Sequence, residues 1–256
     1  MWLRILFLAV LQGVTEFIPV SSSGHLVMFK HLLNVDAPGH ALEVVLHIGS
    51  LISILVFFRQ RIICWCKGLL ARERTAGRFV AALLVSMLPV VIVYSLLHNF
   101  FADAFDRPRL AAVMLIWTGL VLLSLLLVRN RRQREPDAFR GGMIGLAQVL
   151  ALLPGVSRSG MTITAGRHLG LSADDAVEFS FLMSIPLLAG AGLLQLLKVE
   201  SMPPDISGAM LFAGAVVSAV TGYAALHVLV KVLKSGRFWV FGCYCLVAGV
   251  AGLLLF

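Results

Sequence analysis

The stretch EFIPVSSSGH, Glu16 to His25, interrupts the first apolar run of the chain with a carboxylate, a proline, three serines, a glycine and a histidine. A charged side chain at bilayer depth costs about 2.5 to 3.5 kcal/mol even on the lenient insertion scale, so such groups line cavities or pathways. Composition decides whether that argument applies. Hydrophobic residues make up 59% of the 256 positions, charged residues 13%, and the mean hydropathy is +0.95. A soluble domain is only about 45 to 50% apolar. The chain reads as an all-α polytopic membrane protein.

Six segments, 41–58, 79–97, 110–128, 179–197, 208–230 and 238–256, are predominantly apolar. Each is about 18 to 23 residues long, enough to cross a hydrocarbon core of ~30 Å. Met1 to Leu11 resembles a signal peptide, but Arg4 is its only basic residue and no A-x-A-like site follows, so it is read as part of the mature fold. The formal charge of +8 raises the question of nucleic acid, and its distribution argues against it. Arg59, Arg61, Lys67, Arg72, Arg74 and Arg78 follow the first span; Arg129, Arg131, Arg132, Arg134 and Arg140 follow the third; Lys231, Lys234 and Arg237 follow the fifth. These alternate connections hold fourteen of the 21 basic residues, whereas Lys30, Arg107, Arg109 and Lys198 are scattered over the others. The positive-inside rule makes the first set cytoplasmic.

Two further apolar stretches, 1–33 and 143–170, are each broken near the middle by a Pro/Ser/Gly cluster. If either crossed the membrane, the basic connections would fall on both sides. The simplest reading is a pair of re-entrant helix-loop-helix hairpins, the first entered from outside and the second from the cytoplasm. PVSSSG (Pro19 to Gly24) is echoed by PGVSRSG (Pro154 to Gly160) at an offset of 136 for Ser-x-Ser-Gly, and Glu43 by Glu178 at 135. One membrane domain, 1–256, thus reads as two copies of a hairpin plus three spans, about 1–128 and 143–256. An odd number of spans inverts the second copy, and inverted repeats bring their irregular backbone together near the midplane. The two Ser-rich tips are expected to meet.

QGVTEFIPVSSSGHL (Gln12 to Leu26) with LPGVSRSGMTI (Leu153 to Ile163) resembles the undecaprenyl-diphosphate phosphatase family, the bacitracin-resistance proteins of bacterial membranes. LEVVLHIGSL (Leu42 to Leu51) and EFSFLMSIP (Glu178 to Pro186) extend the similarity over nearly the whole chain. The resemblance implies hydrolysis of undecaprenyl diphosphate to the monophosphate, recycling the lipid carrier of cell-wall precursors. It also implies a divalent cation, Mg2+ or Ca2+, a bacterial cytoplasmic (inner) membrane location and a cleft towards the outer face. Bilayer lipid is an expected partner and a homodimer is allowed for; nucleic acid is not expected.

The residues suit that chemistry on their own terms. A diphosphate monoester needs charge neutralisation, a nucleophile and a proton for the leaving phosphate. Arg158 is the only cation in either tip, and its planar guanidinium suits bidentate contact with phosphate; the alternative is a structural ion pair with Glu16. Gly24 and Gly160 let backbone N–H groups approach a phosphate at a helix N-terminus. Ser22 matches the nucleophile implied by the family, with Ser21 and Ser23 as competitors and helix N-capping as their other use. A serine needs a base, and His25 and Glu16 are the candidates. Ser157, Ser159 and Thr162 of the second tip are read as substrate-binding, together with Gln12, Ser21, Ser23, Gly24 and Gly160. Gln12 stands where some members carry an acid, so any anionic metal ligation falls on Glu16, and Gln12 is left to orient Glu16 or an ion.

Other polar groups read as structural: Glu43, Glu178 and His47 near span ends, and Arg167 and His168 at the return of the second hairpin. Cys64/Cys66 and Cys243/Cys245 lack the C-x-x-C spacing of zinc or redox sites. A phosphatidic-acid-phosphatase-type site would place a histidine six residues after the arginine, where Thr164 stands. The competing reading is a transporter or flippase of an anionic prenyl phosphate lipid, since alternating access also uses inverted repeats.

Overall fold

The computed structural model describes residues 1–33, 41–128, 134–196 and 207–256. Arg129, Arg131, Arg132 and Lys198, together with the side chain of Glu43, lie outside the described residues. Every regular element among the described residues is helical: α1 (Trp2–Phe17), α2 (Ser22–Leu32), α3 (Ala41–Phe57), α4 (Arg59–Leu70), α5 (Arg74–Ala104), α6 (Pro108–Leu123), α7 (Ala138–Val149), α8 (Arg158–His168), α9 (Ala173–Leu196), α10 (Gly208–Lys234) and α11 (Trp239–Leu255). Short 3₁₀ turns extend α6 to Leu127 and α7 to Leu152.

The two broken stretches fold by the same local rules. A residue before proline is driven out of the helical region. Ile18 before Pro19 (φ −64°, ψ 131°) and Leu153 before Pro154 (φ −81°, ψ 135°) are both extended, ending their helices. Each chain then restarts on a serine cap: Ser21 Oγ accepts from the Gly24 N–H at 3.2 Å, and Ser157 Oγ from the Gly160 N–H at 3.1 Å. The resulting α2, α7 and α8 have 11, 12 and 11 residues. At about 1.5 Å per residue none can cross a ~30 Å core.

By length and apolarity α5, 108–127 and α10 suffice to cross a membrane, and the pair 44–57 and 59–70, bent by 68°, makes a fourth candidate. The other two expected spans fall on α9, 24 residues, and α11, 17 residues. A mostly apolar interior also holds polar groups, Gln12, Glu16, Ser50, Ser86 and Ser218 among them, while large apolar side chains such as Leu84, Leu88, Val220, Val247 and Leu254 face outward. That outward apolar face fits a bilayer, where the solvent is as apolar as leucine. The protein is a polytopic, all-helical membrane protein.

Each hairpin packs on a long helix of the other half of the chain, α1 on α10 and α7 on α5. A β-carbon on Gly145 would lie 2.2 Å from the Ser86 carbonyl oxygen, so α7 meets α5 at backbone distance. The stretch after α3, read from sequence as a basic connection, is helical. The Trp65 indole of α4 donates to Glu178 Oε1 at 2.7 Å and stacks on Phe79 with centroids 4.1 Å apart, while Arg61 lies 3.2 Å from Glu178 Oε2. Glu178 therefore ties α4 to α9.

Candidate active site

The tips of the two hairpins touch. A β-carbon on Gly24 would lie 2.7 Å from the Gly155 α-carbon, and Gly155 itself sits at φ +93° with the Ala111 carbonyl oxygen 2.1 Å from where its own β-carbon would be. Only a residue without a side chain takes that backbone at that distance. Thr118 of α6 secures the second tip, donating to the Gly155 carbonyl at 2.9 Å and accepting from the Ser157 N–H at 3.1 Å.

Glu16, in the last turn of α1 and 8% exposed, is the centre of the arrangement. Its Oε1 accepts from Arg158 Nη2 at 2.8 Å, across 142 residues of sequence. Its Oε2 accepts from the Ser22 hydroxyl at 2.6 Å and from the Gln12 amide at 3.1 Å, with His47 Nε2 at 3.9 Å. Gln12 orients Glu16 through its N–H, and that amide also reaches Ser50 Oγ at 3.5 Å, which lies 3.1 Å from Ser218 Oγ on α10. Arg158 is further fixed by the Ser180 carbonyl at 3.4 Å and by the Phe181 ring, 5.8 Å below its guanidinium carbon. Ser22, Ser23 and Arg158 are half-buried, whereas Glu16, Gln12, Ser21 and His25 are buried. The serine and the arginine are thus the members that reach the surface of the site.

The other expected residues divide. Ser21 and Ser157 cap α2 and α8, Ser23 lies 3.2 Å from Ser21, and Ser159 lies 3.3 Å from Ser157. Thr162 is buried, donating to the Arg158 carbonyl at 2.9 Å and lying 2.6 Å from Ser180 Oγ. The Gly24 and Gly160 N–H groups are taken by the caps. Helix geometry leaves the N–H groups of Ser22, Ser23, Arg158 and Ser159 without intrahelical acceptors, at two N-termini that converge. His25 is not on Ser22: its ring nitrogens meet the Ser21 carbonyl and the Tyr244 hydroxyl, each at 2.8 Å. Ser50, Ser180 and Tyr244 escaped the sequence reading because nothing near them in the chain marks them as neighbours of the tips.

The donor set does not suit a protein cage for a divalent cation. Both oxygens of Glu16 are engaged, one by a guanidinium, and the remaining buried acceptor without a partner here is the Gln12 carbonyl Oε1. No group of three or more His, Cys, Asp or Glu able to hold a metal occurs among the described residues.

A serine hydroxyl on a carboxylate, an adjacent arginine and two helix N-termini make a site for attack on an anionic phosphorus centre. Several relatives of this chain share one name. An undecaprenyl-diphosphatase of Halothermothrix orenii is 33% identical over 255 residues, covering 98% of this chain and 97% of its own length. Undecaprenyl-diphosphatase 1 of Burkholderia pseudomallei strain K96243 is 38% identical over 260 residues (96% and 94%), and the undecaprenyl-diphosphatase of Rhodopirellula baltica 37% over 257 (99% and 97%). The profile described as bacitracin resistance protein BacA matches residues 5–251, and the chain belongs to that family.

Proposed function

We propose that this protein hydrolyses undecaprenyl diphosphate to undecaprenyl phosphate and inorganic phosphate. The observation that carries the reading is the contact of Ser22 and Arg158, from separate hairpins, with the two oxygens of one buried carboxylate. The Ser22 oxygen attacks the terminal phosphorus and its proton passes to Glu16 Oε2. The bond from that phosphorus to the bridging oxygen breaks, and undecaprenyl phosphate leaves with the electron pair, its bridging oxygen taking that proton back from Glu16. Water then attacks the phosphoserine, giving a proton to the again ionised Glu16, and phosphate departs as Glu16 returns that proton to the Ser22 oxygen.

Arg158 turns from Glu16 Oε1 to the phosphate oxygens as substrate enters, so one motion both neutralises the substrate and frees the base. A point charge would lack the fork for this exchange. The converging N–H groups of Ser22, Ser23, Arg158 and Ser159 face the same oxygens. The prenyl tail remains in lipid, where each CH₂ is as well accommodated as in protein. The residues present do not fit a protein-held Mg2+ or Ca2+; a divalent cation complexed by the diphosphate itself would supply charge neutralisation, and no step here depends on it.

The pairing of α1 with α10 and of α7 with α5 supports reading 1–128 and 143–256 as inverted repeats. With the basic connections cytoplasmic, the site opens towards the outer face of the inner membrane. Purified protein in detergent should release phosphate from undecaprenyl diphosphate, and Ser22→Ala should not; absence of phosphate release by the unaltered protein would favour a carrier of the same lipid.

A further inference from the structure

His25 is held from both sides. A carbonyl oxygen only accepts, so Nδ1, 2.8 Å from the Ser21 oxygen, carries the proton. In the neutral ring Nε2 then accepts from the Tyr244 hydroxyl on α11, also at 2.8 Å. The two rings stack, with centroids 5.7 Å apart and planes 9° apart. The next residue, Cys245, directs its Sγ at the Pro19 carbonyl at 3.7 Å, so this turn of α11 grips the break of the first hairpin at two points.

What it grips is strained. Ser21 sits at φ +68°, ψ 95°, a backbone region that a non-glycine residue keeps only where its surroundings impose it. The Ser21 carbonyl takes both the His25 backbone N–H, at 3.3 Å, and its ring N–H. His25 therefore holds Ser21, and Tyr244 holds His25. Ser22 follows directly.

We propose that Tyr244 is a positioning residue for the reaction. Its hydroxyl fixes His25 as the Nδ1–H tautomer facing α11, keeps the strained Ser21 turn in place, and thereby aims Ser22 at Glu16. Occupying Nε2 also withholds His25 from the Ser22 hydroxyl, leaving that proton to Glu16. The kinetic half of this inference rests on the hydrolytic reading, and the structural half does not.

Tyr244→Phe keeps the stacked ring and removes only the hydroxyl, at a side chain that is 47% exposed and tolerant of the change. Full-length protein labelled with ¹⁵N in its histidine rings, with His25→Gln to assign the signal, should show His25 protonated at Nδ1 alone. In Tyr244→Phe the same signal should become a mixture of tautomers. Losing one such hydrogen bond should lower kcat roughly 3- to 10-fold with KM unchanged. In the His25→Gln background the tyrosine change should cost nothing more, because both act on one element. An unaltered ¹⁵N pattern in Tyr244→Phe, or an equal loss of kcat in the His25→Gln background, would overturn the proposal. If the unaltered protein releases no phosphate, the hydrolytic reading fails while the tautomer measurement still decides the positioning.

Discussion

Replacing Glu16 by glutamine keeps the shape of the side chain and removes one charge of a buried pair. The Arg158 and Glu16 side chains are 13% and 7% exposed and 2.8 Å apart. Stranding one member of such a pair typically costs about 3–5 kcal/mol. Arg158 retains the Ser180 carbonyl and the Phe181 ring, which places the expected loss near the lower end, about 3 kcal/mol. A second change, Arg158→Met, removes the stranded charge and should restore most of that stability. It cannot restore chemistry, because the Ser22 hydroxyl has lost its base, a contribution of about 10² to 10⁴ in rate. Thermal unfolding in detergent and phosphate release, measured on the single and double variants, separate the two effects. A double variant less stable than Glu16→Gln would refute the pairing argument. Turnover of Glu16→Gln within about tenfold of the unaltered protein would refute its role as base.

Ser22→Ala should abolish phosphate release, whereas Ser21→Ala should lose about 1 kcal/mol of helix capping and keep part of the activity; equal activities would reassign the nucleophile. Arg158→Lys should fall about 10² to 10³ in kcat, since a lysine cannot present two parallel donors, and a lysine variant with unaltered kcat would reduce Arg158 to its charge. Gly155→Ala should destabilise the protein and separate the tips, while Gly190→Ala, which has nothing within 4 Å of the new carbon, should not; melting curves of the two variants compare them directly.

The breaks and restarts of both hairpins were legible because their causes are local. Proline displaces the residue before it, and a serine two or three residues later caps the next helix. The convergence of the tips was legible through the echo of Ser21-x-Ser23-Gly24 in Ser157-x-Ser159-Gly160, and the Glu16–Arg158 pair as the stated alternative to phosphate contact. The helical state of 59–70 was not, because its basic residues read as a connection while the partners that hold it, Glu178 and Phe79, lie elsewhere in the chain. Tyr244 was hidden for the same reason. It is 219 residues from His25, between Cys243 and Cys245, and no local pattern marks it as a partner of the first hairpin. The role of Gln12 in orienting Glu16 was legible, but not the group that performs it: the structure uses the amide N–H, a choice set by the carboxylate acceptor one turn away.

The central claim is that a serine from one hairpin and an arginine from the other carry out a double displacement at the terminal phosphorus. Stereochemistry at that atom tests it most directly, using undecaprenyl diphosphate made chiral at the terminal phosphoryl group with thio and oxygen-isotope labels. Two successive in-line displacements, first by Ser22 and then by water, predict release of thiophosphate with retained configuration. Inversion would mean that water attacks the diphosphate directly, and would contradict the assignment of Ser22 as nucleophile.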